Sequence, residues 1–436
     1  MEVCMEKNIG FFEKTFRLKE HGTNVRTEII AGFTTFMTMA YILIVNPLTL
    51  EAAGMDFMKV FTATALSSVI ATLVMGLVAK LPFALAPGMG LNAFFAYTVV
   101  IGMGKSFEFA LTAVFLEGII FLLLTGLNVR EAIINSIPSN IKKAISVGIG
   151  LFIAFIGLAN AGIIIQGATP LELGDITTGA PLLALIGLII AGVLLAFKVK
   201  GALFIAIIAT TLIGIPMGQT LLPDKIVSAP TAPYFFNFVW SEILSFDMLM
   251  VLFVFLFVDM FDTVGTLVGV STKAGMMTED GKVPNAKKAL FADAVGTTVG
   301  AIFGTSTVTT YVESASGVAE GGRTGLTSLV TAGLFAIALL LSPLFIMIPS
   351  AATAPALILV GLFMISPIKE IDFEDFTEAI PAFLTLLMMP LTYSISDGIV
   401  FGMLSYVILK ALTGRFKEVH LLTWIVAAFF VVKLLV

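Results

Sequence analysis

The chain has 436 residues, 58% of them hydrophobic and only 12% charged, whereas an ordinary soluble domain carries about 25% charged residues, so most of it belongs in lipid. A net charge of −5 with no Lys/Arg cluster gives no footing to a nucleic-acid partner. The single cysteine, Cys4, excludes an intrachain disulfide and leaves the redox compartment open.

Residues 1–27 carry Lys7, Lys14, Arg17, Lys19 and Arg26 but no apolar h-region, which argues against a cleaved signal peptide and for an N-terminal arm, with targeting left to the first span. A span needs about 20 apolar residues. Seven such runs follow, at 28–50, 57–79, 83–101, 107–126, 141–160, 180–197 and 202–216. A polar, Pro-containing stretch at 217–245 separates them from seven more, at 246–271, 287–303, 306–320, 324–345, 351–366, 374–391 and 396–412. The apolar tail, 416–436, contains Lys433 and is shorter than a usual span; an interfacial helix is favoured over a further crossing.

Lys and Arg in the implied loops set the orientation. With the N-terminus inside, twenty of them, Arg130, Lys273 and Lys282 included, fall on the cytoplasmic side. Only Lys59, Lys105 and Lys225 fall on the other side, and Lys433 is left in the tail. An odd number of spans per half makes the halves run in opposite directions, the inverted-repeat arrangement of many secondary transporters, whose sites form at discontinuous helices. The third segment of each half is the irregular one. LPFALAPGMGLNAFFAYT holds Pro82, Pro87, Gly88 and Gly90, and GTSTVTTYVESASGVAE is a β-branched run followed by small residues. Each reads as a short extended stretch turning into a half-helix, a backbone tolerated at membrane depth only where it lines a cavity or is buried in protein.

Asp262 and Glu313 lie inside these apolar runs. An Asp at the bilayer centre costs about 2.5–3.5 kcal/mol, so its retention points to a substrate or proton pathway. Asp259, three residues earlier, falls near the same helix face, and Asp293 lies in KKALFADAVGTTVG. In the functional reading Asp262 and Glu313 face a central cavity and accept N–H groups of a polar substrate, with Asp293 and Asp259 as further proton-coupling candidates. In the structural alternative, Thr hydroxyls and backbone amides satisfy each carboxylate. The half-helix starts at Met89 to Phe94 and Tyr311 to Ser314 offer backbone donors beside the acids. Phe94, Phe95 and Tyr311 are placed to stack on a flat ring, although most of the 38 Phe must face lipid or other helices. Thr310, next to Tyr311, joins the substrate-binding candidates. Glu117 in AVFLEGIIF is as well explained by a structural hydrogen bond. His21 and His420 cannot share a metal site, and PGMGLN lacks the Walker lysine and the Rossmann spacing, so neither a metal nor a cofactor is expected.

Four motifs in order closely resemble the adenine/guanine/hypoxanthine permease branch of the nucleobase–cation symporter-2 family. They are GFTTFMTMAYILIVNPL at 32–48, APGMGLNAFFAYTVV at 86–100, VDMFDTVGTLVGV at 258–270 and GTSTVTTYVESASGVAEGGRTGLTSLV at 304–330. The likeness runs from about Glu13 to the C-terminus. It implies an all-α polytopic membrane protein of fourteen spans in two inverted repeats, with short strands in spans 3 and 10. It also implies a core domain (28–126 and 246–345) and a gate domain (127–216 and 346–415), with 217–245 an extracellular loop. By the same resemblance Asp262 and Glu313 hold the base, Asp293 takes part in transport, Tyr311 flanks the base and Asn92 lies where span 3 nears it. The implied function is secondary active import of adenine, guanine or hypoxanthine by proton symport, Na+ not being excluded. It implies an elevator motion, a homodimer formed through the gate domain, and a plasma-membrane protein that is no enzyme. An anion transporter of the same architecture is disfavoured by the acids. An intramembrane aspartyl protease is disfavoured because no GxGD surrounds Asp259, Asp262 or Asp293, despite PAL at 355–357.

Overall fold

An apolar run can close its own backbone hydrogen bonds in lipid as a helix, and the chain does so repeatedly. The computed structural model describes residues 11–127, 138–167, 171–223, 225–273, 275–277 and 283–435; Lys7, Arg130 and Lys282, used above for orientation, lie outside them. Among the described residues nine helices are long and apolar enough to cross a membrane, and shorter apolar helices occupy Met89–Gly102, Ala202–Gly214 and Phe376–Leu391. The fold is that of a mostly helical polytopic membrane protein.

Four short strands form two antiparallel pairs: β1 (Leu85–Pro87) with β4 (Val308–Thr310), and β2 (Ile164–Ile165) with β3 (Glu172–Leu173). The first pair falls in the two segments expected to be irregular. The second is a small hairpin that the apolar pattern did not reveal, closed by the Gly174 N–H on the Ile163 carbonyl at 2.9 Å.

The first apolar run is not one uninterrupted helix, as its composition suggested. It divides into Val25–Met39 and Ile42–Glu51, and around Ala40 and Tyr41 the hydrogen bonds tighten to i→i+3. Pro47 withholds an N–H from the carbonyl four residues back, and Thr38 donates to the Thr34 and Thr35 carbonyls at 3.1 and 2.8 Å, a pattern that bends helices. The break places Tyr41 in the interior of the Val25–Glu51 span.

The Val25–Met39 helix packs on Gly325–Ala338 and Ser314–Ala319. Phe57–Val74 and Phe107–Leu127 both pack on Ala286–Phe303, and Phe107–Leu127 also on Phe246–Lys273. Elsewhere Ser139–Asn160 packs on Ser350–Met364 and Phe376–Leu391, and Ala202–Gly214 on Gly179–Ala196. Small residues permit the closest of these approaches: a Cβ on Gly150 would lie 2.7 Å from the Gly361 carbonyl oxygen. The stretch 217–245 straps the helix ends. Tyr234 Oη accepts from the Asp56 N–H at 2.8 Å, and the Val239 N–H donates to Thr112 Oγ1 at 2.9 Å.

Buried Glu28 ties the first helix to the start of Gly325–Ala338. Its carboxylate accepts from Arg323 N–H at 2.9 Å, Thr324 Oγ1 at 2.9 Å and Thr327 Oγ1 at 2.6 Å, occupying donors that a helix start leaves free.

The tail forms a 15-residue helix, Leu421–Leu435, packed on Ile395–Leu412, with Phe430 edge-on to Phe253 at 5.9 Å. A charge cluster anchors its start. Lys410, 1% exposed, lies 2.9 Å from Glu378 and 2.8 Å from Glu418, and Arg415 grips both oxygens of Glu418 at 2.7 and 2.8 Å. Arg415 also donates to Asp375 at 2.5 Å. These bonds, chiefly those from Arg415, lower Glu418 to about 2 and hold Asp375 below the ordinary carboxylate range.

Carboxylates depressed in the folded state stabilise it above their unfolded pKa and lose that contribution as pH falls through the folded value. The tail attachment is therefore expected to hold at neutral pH and to loosen from about pH 4 down to about 2. Fluorescence of Trp424, measured in a Trp240→Phe background, follows this directly; a signal that stays flat to the lower limit contradicts it.

Candidate functional site

The site is built where two breaks meet. Val308, Thr309 and Thr310 are β-branched and favour extended backbone, while Pro87 lacks an N–H and suits a two-stranded ribbon with open edges. They pair antiparallel, Leu85 opposite Thr310, Ala86 opposite Thr309 and Pro87 opposite Val308. The ladder extends through Tyr311 N–H to the Ala84 carbonyl and Gly88 N–H to the Thr307 carbonyl, both 3.0 Å. β1 runs into the Met89–Ala93 helix, which continues as a π-helix over Phe94–Gly102; β4 runs into Ser314–Ala319, with Glu313 at the N-cap position.

Asp262 and Glu313 are both partly exposed at this crossing. Tyr41 Oη donates to Glu313 Oε1 at 2.7 Å, fixing one carboxylate oxygen and leaving Oε2 for another donor. Asp262, on the Phe246–Lys273 helix, lies beside the second break: a Cβ on Gly88 would be 3.7 Å from its Oδ2. The face that carries Asp262 continues toward Lys273 through Gly265 and Gly269, both exposed and with nothing within 4 Å of their Cβ positions.

Behind Asp262 the acids are fully enclosed. Thr263 Oγ1 lies 3.2 Å from Asp259 Oδ1, 2.9 Å from Asp293 Oδ1 and 2.6 Å from Thr309 Oγ1. Thr263 Oγ1 thus joins Asp259, Asp293 and Thr309 in one buried hydrogen-bonded cluster.

Of the remaining candidates, Asn92, Tyr311 and Phe94 contact other parts of the protein. Asn92 accepts from Ser306 Oγ and reaches the Pro87 carbonyl at 3.4 Å, lacing the two breaks together. Tyr311 donates its hydroxyl to the same Pro87 carbonyl and is 5% exposed. Phe94 is fully buried, edge-on to Phe255 at 4.9 Å. Phe95 is fully buried too. Thr310, 2% exposed, has a hydroxyl with no hydrogen-bond partner among the described residues. Glu117 accepts from Thr307 Oγ1 at 2.5 Å.

Four residues escaped the sequence reading: Tyr41, Asn46, Thr263 and Thr309. Asn46, wholly buried, donates to Thr64 and Thr305 at 2.7 and 2.8 Å. An amide inside ILIVNPLTL was a usable signal, since the rule for ionisable residues at membrane depth extends to amides. Single hydroxyls in Thr-rich helices carry no such mark. Among the described residues no group of three or more His, Cys, Asp or Glu is arranged to hold a metal ion.

Residues 26–401 match the permease family described as Xan_ur_permease. A putative permease of Methanocaldococcus jannaschii is 52% identical over 97% of this chain and 98% of its own length. The guanine/hypoxanthine permease PbuG of Bacillus subtilis is 48% identical over 93% and 95%, and the adenine permease AdeP of Escherichia coli 44% over 98% and 96%. Among solved structures, the transmembrane domain of the cyanobacterial bicarbonate transporter BicA shares the fold, with a TM-score of 0.65 at 17% identity over 86% of this chain and 97% of that one.

The closeness of the two breaks is testable. A Cβ on Gly88 would lie 2.7 Å from Thr309 Cγ2, with its next neighbours at ordinary contact distance. Gly88→Ala is expected to destabilise the protein by about 1–3 kcal/mol. Adding Thr309→Ser, which removes that methyl and keeps the hydroxyl, should recover most of the loss in a thermal unfolding assay. Failure of the second substitution to rescue the first would refute the contact.

Proposed function

We propose that the chain, which belongs to the Xan_ur_permease permease family and is therefore a permease and not an enzyme, transports purine nucleobases. The observation that carries this reading is the Tyr41-oriented Glu313 carboxylate at a half-helix start, with Asp262 beside the opposing break. Such a pocket accepts N–H groups through its acids and offers backbone N–H donors to ring nitrogens or a carbonyl. A purine base presents both kinds of group on one planar edge. Relatives named for guanine/hypoxanthine and for adenine support the purine class. The fold shared with a bicarbonate transporter raises an anion as a second substrate class. Two carboxylates at the crossing would repel it.

In this reading the nine long helices, the three shorter ones, Ala286–Phe303 and the broken segment around β4 make fourteen spans in two inverted halves. Support comes from the antiparallel pairing of strands drawn from the third segment of each half. The helices that pack around the strands form a core, and those that pack around Ser139–Asn160 form a gate, against which the core slides as an elevator. The N-terminus lies on the cytoplasmic side of the plasma membrane, and two copies associate through the gate. The buried cluster of Asp259 and Asp293 around Thr263, beside Asp262, supports a place for the coupling proton on those acids.

Calorimetry on purified protein tests the site. Glu313→Gln is expected to abolish binding of adenine, guanine and hypoxanthine while leaving the melting temperature near that of the parent. Tyr41→Phe should weaken binding about tenfold, the size of one charge-assisted hydrogen bond. Retained affinity in Glu313→Gln sinks the assignment. Coupling is tested separately in proteoliposomes, where an inward proton gradient should drive purine uptake and a protonophore should stop it; uptake indifferent to both would exclude proton symport.

A further inference from the structure

A cavity of about 370 Å3, lined by neither Asp262 nor Glu313, lies at the Glu51 end of the first span. Its polar lining is Thr49, Glu51, Tyr97, Asn160, Ser350 and Thr353. That volume falls in the range of small-molecule sites, roughly 300–1,000 Å3, and admits one planar heterocycle.

Tyr97 stands between this cavity and the strand crossing. It lines the cavity, yet it belongs to the same continuous helix as Asn92, five residues further on, about 7 Å along the axis. Its position is held from the facing helices. Asn160 Nδ2 donates to Tyr97 Oη at 3.1 Å. The Tyr97 ring meets Tyr393 at 6.0 Å and Phe152 at 6.5 Å, and Tyr393 in turn packs against Phe152 and Phe155 at 5.7 and 5.3 Å. Tyr393 adopts a φ of 57°, a left-handed conformation that a bulky residue rarely takes. Tyr97 is 7% exposed as a result, while Asn160, at the end of its helix, remains open to the cavity.

We propose that this cavity is an outer docking site for the purine nucleobase, and that the Asn160–Tyr97 hydrogen bond is a latch which the docked base replaces. The proposal rests on the transport reading above. The Asn160 carboxamide carries a donor and an acceptor side by side, matching adjacent N–H and carbonyl or ring-nitrogen groups on a purine edge. Glu51 accepts a further N–H and disfavours an anion, and Leu48, Ala52 and Leu357 supply apolar contact for the ring faces. A base that takes the Asn160 amide leaves the Tyr97 hydroxyl without its partner, and only edge contacts then hold the ring. Docking thereby favours the state in which Tyr97 swings aside, because the ligand interacts differently with the latched and released forms.

Adenine and hypoxanthine, each titrated into the purified full-length protein, should give two phases, the second about tenfold weaker than the first. Glu313→Gln should remove the tight phase and keep the weak one. Asn160→Ala should keep the tight phase, remove the weak one and raise the KM for uptake severalfold. Tyr97→Phe, which frees the amide without emptying the aromatic cluster, should tighten the weak phase, and it serves as the test if Asn160→Ala unfolds. A weak phase that survives Asn160→Ala, or a single-phase isotherm in the parent that Asn160→Ala does not alter, overturns the outer site and leaves the transport reading standing. No purine binding in the parent at all removes the transport reading, and the outer site with it.

Discussion

Every peptide group at membrane depth needs a partner inside the protein, because an unsatisfied one costs several kcal/mol in hydrocarbon. The two non-helical segments meet this demand for each other by pairing as β1 and β4. Hydroxyls close what the ladder leaves open. Ser314 Oγ accepts from the Ala84 N–H at 3.0 Å, Thr72 Oγ1 bonds both the N–H and the carbonyl of Leu85, and Thr297 donates to the Val308 carbonyl at 3.0 Å. The helices carrying Thr72 and Thr297 are thus placed by the strands as much as by apolar packing.

That scheme explains the chemistry available at the crossing. Hydroxyls satisfy backbone groups without adding charge, and among the described residues no ion pair reaches Asp262 or Glu313. The ion pairs instead lie toward the helix ends and loops, such as Lys105 with Asp247 at 2.6 Å and Lys200 with Glu320. Carboxylates left without a cation in a poorly solvated place need donors or a proton. Tyr41 supplies one such donor to Glu313.

Features that break the chemistry of lipid were readable from the residues alone. Asp262 and Glu313 stood out as ionisable groups in apolar runs, and Pro87, Gly88 and the Val308–Thr310 stretch marked both breaks. The partners of those features were not readable. Tyr41 sits in a run that reads as plain helix, and only the bend set by Thr38 and Pro47 turns its hydroxyl into a Glu313 ligand. Thr263 is one threonine among many, and its role arises from three elements that converge from 259–263, 293 and 309. Phe94 was placed against a ligand by its sequence neighbourhood, whereas packing sets its ring against Phe255. Local sequence records what a residue is; which distant residue answers it is a property of tertiary contact.

The strand pair also constrains how the protein is made. Leu85 and Thr310 are separated by more than half of the chain, so β1 enters the membrane long before its partner exists. At roughly 5–20 residues per second of synthesis, β4 follows on the order of ten to forty seconds later. During that interval Thr72 can hold Leu85, but the Ala84 N–H and carbonyl lack the partners that Ser314 and Tyr311 later supply. The first half must be sheltered from lipid by the insertion machinery or kept near the aqueous boundary until the second half arrives. Truncations anywhere before Val308 therefore leave a half-protein with an unclosed wound in its backbone, one that quality-control proteases can recognise.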